Sequence, residues 1–323
     1  MENENQVNII GKQVLDLQIK AIKKLKNSID NTFFKVVKKI INCKSKVIIC
    51  GVGKSGKIAS KISSTLSSVG TSSFTINVND CSHGDLGMIS KNDLLILISY
   101  SGSTEELTNI IKYAKINKIY LIGIVSNKDS FLYKKANIAL LLPKVEEAGY
   151  GIVPTSSTTM QLSLGDALSI ASMKKKNFTK LDFKKFHPGG NLGNKLKTAA
   201  DVMLVKKKIP FIDENVSMKY AINILNKINL GFLVVINSQG NNTGVFTDGD
   251  LKRFMQKKKV LKNEKLKTYM TKNPYIVEKN MLASDILSQM NKRKITNVCV
   301  YNNKNKKKII GVIHIHHLLK LVK

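Results

Sequence analysis

The stretch LLILISYSGSTEE, residues 94–106, decides the fold of the first half of this chain. It starts with an unbroken apolar run whose length suits a buried strand rather than a helix. The Ser99–Thr104 segment that follows carries four hydroxyl side chains of Ser and Thr around Gly102, and a helical pattern begins near Glu105. A buried strand that runs through a hydroxyl-rich turn into a helix is typical of the carboxyl edge of a parallel α/β sheet.

Similar apolar runs lie on both sides of this stretch, and helical patterns separate them. Strands are predicted at 46–50, 73–78, 94–99, 119–125 and 138–142. Helices are predicted at 57–68, 105–116, 130–135 and 157–175, and residues 5–42 predict two more helices with an interruption near 27–31. Short strands rich in Val, Ile and Leu that alternate with helices predict an α/β domain, in which helices flank a parallel sheet.

The second half of the chain contains an internal repeat. Met203 and Met270 begin similar segments, and Gly244 and Gly311 begin a second similar pair at the same spacing. Each copy combines an amphipathic helix with an apolar strand, which predicts two α+β modules after a linker at 195–201. The predicted domains are 1–195, 203–262 and 270–323.

The charge of the chain invites a nucleic-acid interpretation, which the composition does not favour. The 53 Lys and Arg residues against 22 Asp and Glu give a formal net charge of +31. Arg253 and Arg293 are its only arginines, whereas proteins that read nucleic acids favour arginine for bidentate contacts. Lysine is spread over the whole chain beside abundant Asn and Ile, which indicates AT-rich coding. We expect no specific nucleic-acid partner.

Several sequence features bear on the compartment. No window approaches the roughly 18 apolar residues of a membrane span, and the first residues lack the pattern of a secretory signal. The four cysteines (Cys43, Cys50, Cys81 and Cys299) are far apart and form no CxxC motif, which is typical of thiols in a reducing compartment. We therefore expect a cytoplasmic protein without a membrane span.

Three loops at the ends of predicted strands carry the candidate chemistry. Gly51–Gly56 has the GxGxxG pattern but lacks the acidic partner of a dinucleotide site, so it predicts a helix N-terminus that faces an anion. Ser99–Thr104 predicts a nest for a phosphate monoester, with helix capping as the structural alternative. Pro154–Thr159 repeats this arrangement before a long helix. Together the three loops predict a phosphosugar site.

The order of these motifs resembles the sugar-isomerase (SIS) domain family, and within it the arabinose-5-phosphate isomerases, which carry a tandem pair of cystathionine-β-synthase-type (CBS) modules. The motifs are GVGKSG (51–56), HGDLG (83–87), SYSGSTEE (99–106), PTSSTT (154–159) and HPGGNLG (187–193). The resemblance implies an aldose–ketose isomerase that interconverts D-arabinose 5-phosphate and D-ribulose 5-phosphate through an enediolate, the first step of synthesis of the lipopolysaccharide sugar Kdo. The alternative is a non-catalytic sugar-phosphate sensor built on the same domain.

The resemblance also implies roles for individual residues. Such a reaction needs a general base and a positive charge near the developing oxyanion, and Lys54, Glu106, Glu146 and His187 stand at the family's catalytic positions. Glu147 is the alternative to Glu146, which is favoured by its spacing from the third loop. The implied substrate-binding residues are Ser55, Gly70, Thr71, His83, Ser99, Ser101, Thr104, Thr155, Ser156 and Ser157.

The remaining expectations concern partners and cofactors. The resemblance implies a homo-oligomer, in line with relatives a tetramer, with the N-terminal helices and the HPGG loop at subunit contacts. The CBS pair could take a nucleotide, with Thr247 and Asp250 at ribose-binding positions. No cofactor and no metal are expected, and Asn77 stands where the family often has a histidine associated with metal.

Overall fold

The computed structural model describes residues 4–187, 189–228, 230–257, 264–302 and 305–320. The chain divides into two units, Met1–Phe183 and Lys184–Lys323. Within the described residues, no helix is long and apolar enough to cross a membrane.

The first unit is built on a five-stranded sheet in which every neighbouring pair of strands is parallel. The strands are β1 (Val47–Gly51), β2 (Ser73–Thr75), β3 (Leu94–Ile98), β4 (Tyr120–Val125) and β5 (Ile138–Leu141), in the order β2-β1-β3-β4-β5. This confirms the predicted α/β class. Because all five strands run the same way, their carboxyl ends lie at one edge of the sheet.

Seven helices begin in the described part of the first unit. They are α1 (Glu4–Asn27), α2 (Asn31–Asn42), α3 (Gly53–Ser68), α4 (Leu107–Ile116), α5 (Phe131–Lys135), α6 (Ser156–Lys175) and α7 (Lys180–Phe186). The predicted interruption near 27–31 is confirmed, and Asp30 accepts a 2.7 Å hydrogen bond from the Thr32 backbone N–H to cap α2. The boundary between the units falls within α7.

The two faces of the sheet are covered by different helices, which explains why its strands are apolar throughout. Val47 and Ile49 of β1 pack into a core with α1, α2, α3 and α6. Ile48 and Cys50, on the opposite face, pack with α4 and α5. Side chains of a strand alternate between faces, so a sheet buried on both sides needs apolar residues at every position.

The strand β2 is shorter than predicted. The expected strand reached residue 78, but the chain leaves the sheet after Thr75 and forms a 3-10 turn over Val78–His83. Asn77 begins this turn, because its side-chain oxygen accepts a hydrogen bond from the Asn79 backbone N–H at 3.2 Å. Asn and Asp side chains favour such turns over strands.

The second unit contains two similar mixed sheets, which confirms the predicted tandem modules. The first sheet has the order β6 (Phe211–Asp213), β7 (Phe232–Ile236), β8 (Asn242–Thr247), β9 (Thr271–Lys272), and the second β10 (Ile276–Glu278), β11 (Asn297–Asn302), β12 (Asn305–His314). The helices are α8 (Gly190–Lys195), α9 (Ala199–Val202), α10 (Met218–Lys227), α11 (Asp248–Lys257), α12 (Ala283–Arg293) and α13 (Ile315–Leu319). In each sheet the first two strands are parallel, and the second and third strands are antiparallel.

The segment predicted as a linker, 195–201, is part of the second unit. Thr198 and Asp201 form a capping box at the start of α9, and Ala199 is buried in the core of the second module. The first compact unit ends at Phe183, before the predicted domain end at residue 195. The predicted module ends at 262 and 323 lie outside the described residues.

Candidate active site

A cavity of about 410 Å³ opens at the carboxyl edge of the sheet in the first unit. All three loops predicted from the sequence contribute to it, together with the segment that precedes the third loop. Its lining residues are Val52, Lys54, Ser55, Ile98, Ser99, Tyr100, Ser101, Thr104, Glu147, Ile152, Pro154, Ser157, Thr158 and Gln161. A cavity of this size is in the range of small-ligand sites.

The first loop turns the chain directly from β1 into α3. Gly53 adopts a positive φ of 57°, which glycine tolerates without strain, and it begins a helix of 16 residues. Lys54 and Ser55 lie in the first turn, where the backbone N–H groups have no partner within the helix. The helix end, with the exposed Lys54 ammonium beside it, is suited to an anion.

The second loop is organised by its own hydroxyl groups. The Ser99 and Thr104 hydroxyl oxygens lie 2.7 Å apart, and the Gly102 backbone N–H donates to the Ser99 hydroxyl oxygen at 3.0 Å. Gly102 has a φ of 70°. These hydroxyls do not cap α4, because this helix begins after Glu106 and its N-cap makes no side-chain hydrogen bond. The loop therefore presents hydroxyls to the cavity, in keeping with a phosphate nest.

The third loop is held by the Glu147 carboxylate. Its Oε2 atom accepts hydrogen bonds from the backbone N–H groups of Thr155 and Ser156, both at 2.8 Å, and the Ser157 N–H approaches both carboxylate oxygens at 3.3 Å. Burial raises the pKa of Glu147, but the hydrogen bonds from Ser157, Thr155 and Ser156 outweigh burial and hold this pKa below its ordinary value. Glu147 is therefore an ionised carboxylate fixed at the N-terminus of α6.

Glu147, and not Glu146, reaches this cavity. Glu146 is exposed and lies beside Lys20, Lys23 and Lys24 of α1 in a separate depression. The segment between β5 and the third loop has no helical structure, and neighbouring side chains of an extended chain point to opposite sides. Spacing along the sequence favoured Glu146, whereas the direction of the side chains places Glu147 in the cavity.

The structure brings part of the predicted site together in one chain. Of the residues predicted from the sequence, those that line the cavity are Lys54, Ser55, Ser99, Ser101, Thr104 and Ser157. Thr155 and Ser156 lie next to it and serve the loop itself: the Thr155 hydroxyl donates to Glu147 at 3.2 Å, and Ser156 is fully buried.

The other predicted residues lie outside this lining. Glu106 is exposed at the start of α4, and His83 is exposed at the end of the 3-10 turn after β2. Gly70 and Thr71 precede β2, at the amino edge of the sheet, opposite to the cavity; there the Lys176 ammonium donates to the Thr71 hydroxyl oxygen at 2.8 Å. His187 follows α7 and belongs to the second unit.

Tyr100 and Thr158 lie within the predicted loops but were not among the predicted site residues, and Gln161 lies outside those loops. The Tyr100 hydroxyl donates to the Pro143 carbonyl oxygen at 3.3 Å and accepts from the Val145 N–H at 3.1 Å, so it ties the second loop to the segment that carries Glu147. Burial raises the pKa of the Tyr100 hydroxyl. Gln161 stands one helical turn after Ser157, and this spacing on α6 is the signal that could have identified it.

Comparisons with known proteins agree with this division of the chain. The model of the SIS domain family matches residues 39–171, and that of the CBS domain family matches residues 199–257 and 266–323. Arabinose 5-phosphate isomerase KdsD of Yersinia pestis is 38% identical over 312 residues, which cover 96% of this chain and 94% of the relative. The chain belongs to the arabinose 5-phosphate isomerase family.

Further members and a solved structure extend this likeness. The KdsD isomerase of Francisella tularensis is 39% identical over 94% of both chains. An uncharacterized protein of Rickettsia prowazekii is 38% identical over 99% of both chains. An Escherichia coli CFT073 protein solved in complex with arabinose 5-phosphate has 35% identity and a TM-score of 0.56, and covers 58% of this chain and 100% of that protein.

A second cavity, of about 620 Å³, lies in the CBS pair of this family member. Thr247, Arg253 and His314 are among the residues that line it. Asp250, which the sequence places at a ribose-binding position, is 4% exposed and accepts hydrogen bonds from the hydroxyls of Thr247 at 2.8 Å and Thr271 at 2.7 Å and from the Arg253 guanidinium. In the described part of the chain, no three His, Cys, Asp or Glu residues are grouped for a metal ion.

Proposed function

We propose that this chain is an aldose–ketose isomerase that interconverts D-arabinose 5-phosphate and D-ribulose 5-phosphate and so contributes to lipopolysaccharide biosynthesis. The observation that carries the proposal is the likeness to arabinose 5-phosphate isomerases over nearly the whole chain. The cavity supports it independently, because a hydroxyl loop and a helix N-terminus meet where a phosphate ester would bind.

The reaction moves one proton between neighbouring carbons. A general base removes the proton from C2 of the open-chain aldose, and the electron pair forms a C1=C2 double bond as the aldehyde oxygen becomes an enediolate oxyanion. Return of a proton to C1, with transfer of the O2 hydroxyl proton toward O1, gives the ketose. In our proposal the Ser99–Thr104 loop and the backbone N–H groups in the first turn of α3 hold the phosphate, and Lys54 supplies the positive charge that the oxyanion needs.

We propose separate roles for the acidic and histidine residues. Glu147 keeps the third loop in place with a charge that its hydrogen bonds stabilise, and a carboxylate with a lowered pKa is a weak base. Glu106, close to Thr104 along the chain, and His187 remain the predicted proton-transfer groups. Glu146 is exposed and lines a separate depression together with lysines of α1, so a catalytic role for it would require its side chain to turn toward the cavity.

We also propose a homo-tetramer in the cytoplasm. Helix α1 exposes an unusual number of large apolar side chains, and a second copy of the chain would cover them. They include Val7, Ile9, Ile10, Leu15, Ile19 and Ile22. In this assembly His187 would reach the site of a neighbouring subunit. The four cysteines are free thiols, which favours a reducing compartment.

A nucleotide is the ligand we propose for the cavity of the CBS pair. The Arg253 guanidinium, which also donates to the Asp250 carboxylate, lines this cavity and suits a phosphate group, and Tyr275 contributes an aromatic ring to the lining. Calorimetric titration of the full chain with AMP tests this proposal, and Arg253→Lys should weaken binding because lysine lacks the planar pair of donors.

One experiment tests the proposed isomerase against the sensor alternative. Purified protein is mixed with arabinose 5-phosphate, and ribulose 5-phosphate is measured by NMR. We expect turnover by the wild type, a raised KM in Ser101→Ala, and unchanged kinetics in Ser103→Ala, whose side chain is exposed and does not line the cavity. Binding without turnover would favour the sensor.

A further inference from the structure

Gln161 is a buried polar side chain whose hydrogen-bonding capacity is only partly used. It is 1% exposed and stands on α6 between Met160 and Leu164, which belong to the apolar core. Its Oε1 atom accepts a hydrogen bond from the Ser55 hydroxyl at 3.1 Å. Within the described residues its Nε2 atom has no protein partner, and the side chain lines the cavity. Two N–H donors thus remain available to a ligand in the cavity.

The same hydrogen bond fixes what Ser55 can offer to a ligand. Because the Ser55 proton is given to Gln161, its oxygen faces the cavity with lone pairs only. A phosphate dianion also presents only acceptors, so the Ser55 hydroxyl does not suit it. A sugar hydroxyl suits the pair, since it can donate to Ser55 and accept from Gln161.

We propose that Ser55 and Gln161 form a donor–acceptor pair that binds the hydroxyl-bearing carbon chain of the sugar phosphate, apart from the phosphate nest at Ser99–Thr104. This inference rests on the proposed function and deepens it. The pair connects the first turn of α3 with the second turn of α6, so it sets the position of the sugar carbons relative to the phosphate. A neutral amide serves this purpose at a site where an unpaired charge would be costly to bury.

The test separates sugar binding from phosphate binding. Gln161→Met keeps the length of the side chain and removes both the donors and the acceptor. We expect KM for arabinose 5-phosphate to rise about tenfold, the loss of roughly one good hydrogen bond, while the inhibition constant of inorganic phosphate stays unchanged. Gln256→Met, on an exposed position of α11, is the matched control and should change neither constant.

Ser55→Ala provides a second variant that does not disturb the core of α6. It should raise KM without altering phosphate inhibition, and the double variant should be little worse than the poorer single variant, because each change disables the same pair. An unchanged KM in both single variants, or an equal loss of phosphate inhibition, would overturn the proposal.

The failure of this inference and that of the proposed function can be told apart. A wild type that shows no isomerase activity contradicts the proposed function. The pair is then tested by calorimetric binding of arabinose 5-phosphate and of inorganic phosphate to the same variants. Loss of the first with retention of the second supports the pair, and equal changes in both refute it.

Discussion

The Glu147 carboxylate accepts hydrogen bonds from three consecutive backbone N–H groups at the start of α6. Its negative charge also interacts favourably with the positive end of this 20-residue helix. We predict that Glu147→Gln lowers the free energy of unfolding by about 1–2 kcal/mol at pH 7, measured by urea unfolding. Glu146→Gln, at the exposed neighbouring position, should leave it unchanged and is the matched control.

The pH dependence of this difference follows from the lowered pKa of Glu147. Because the folded state binds the proton less readily than the unfolded state, the stabilisation is complete above the unfolded pKa of about 4.3 and is lost as the pH falls through the folded value. The stability gap between wild type and Glu147→Gln should therefore narrow below about pH 4. A gap that stays constant down to acid unfolding would contradict this role of Glu147.

A substitution of Thr104 removes a single hydroxyl group from the proposed phosphate nest. Its hydroxyl oxygen lies 2.7 Å from that of Ser99 and lines the cavity. We predict that Thr104→Ala raises both KM for arabinose 5-phosphate and the inhibition constant of inorganic phosphate by about tenfold, with a smaller effect on kcat. Ser103→Ala is the control. A fall in kcat at constant KM would place Thr104 in the proton transfer instead.

At the scale of the elements, Asp93 joins the starts of β1 and β3. Its carboxylate accepts hydrogen bonds from the Ser45 hydroxyl at 2.6 Å, the Lys46 N–H at 3.1 Å and the Ser90 N–H at 2.7 Å. Burial raises the pKa of Asp93, but the bonds from Ser45, Ser90 and Lys46 outweigh burial and lower it. We predict that Asp93→Asn destabilises the fold by about 1–3 kcal/mol, measured by thermal unfolding. Asp16→Asn on exposed α1 should have no effect.

The sheet could be predicted from the sequence because its strands are short, continuous apolar runs. The end of β2 could not be predicted in this way. Asn77 starts the following turn through a side-chain hydrogen bond, which the pattern of apolar residues does not show. The three loops were predicted because hydroxyl and glycine residues cluster at strand ends. The choice between Glu146 and Glu147 depends on side-chain direction in a segment without regular structure, which no local pattern encodes. The spacing of Gln161 from Ser157 places both on one side of α6, but the contact of Gln161 with Ser55 depends on how α3 packs against α6.

At the scale of the whole molecule, the exposed apolar face of α1 predicts self-association. Burial of large apolar side chains contributes about 1.5–3 kcal/mol each, so a face of this kind favours a stable assembly. We predict by light scattering a mass that is a multiple of the 35.9 kDa chain, with dissociation in Ile19→Glu, which lies on the same side of α1 as Leu15 and Ile22, and no change in Gln13→Glu on another side. A fully active monomer at micromolar concentration would contradict the shared site proposed for His187.

The most direct test of the isomerase mechanism is the reaction of arabinose 5-phosphate with the wild-type protein in D₂O, followed by NMR. A base that takes the C2 proton exchanges it with solvent before a proton returns to C1. The account predicts that ribulose 5-phosphate forms and carries deuterium at C1. Absence of ribulose 5-phosphate would contradict the proposed activity, and formation of the ketose without any deuterium would contradict the enediolate.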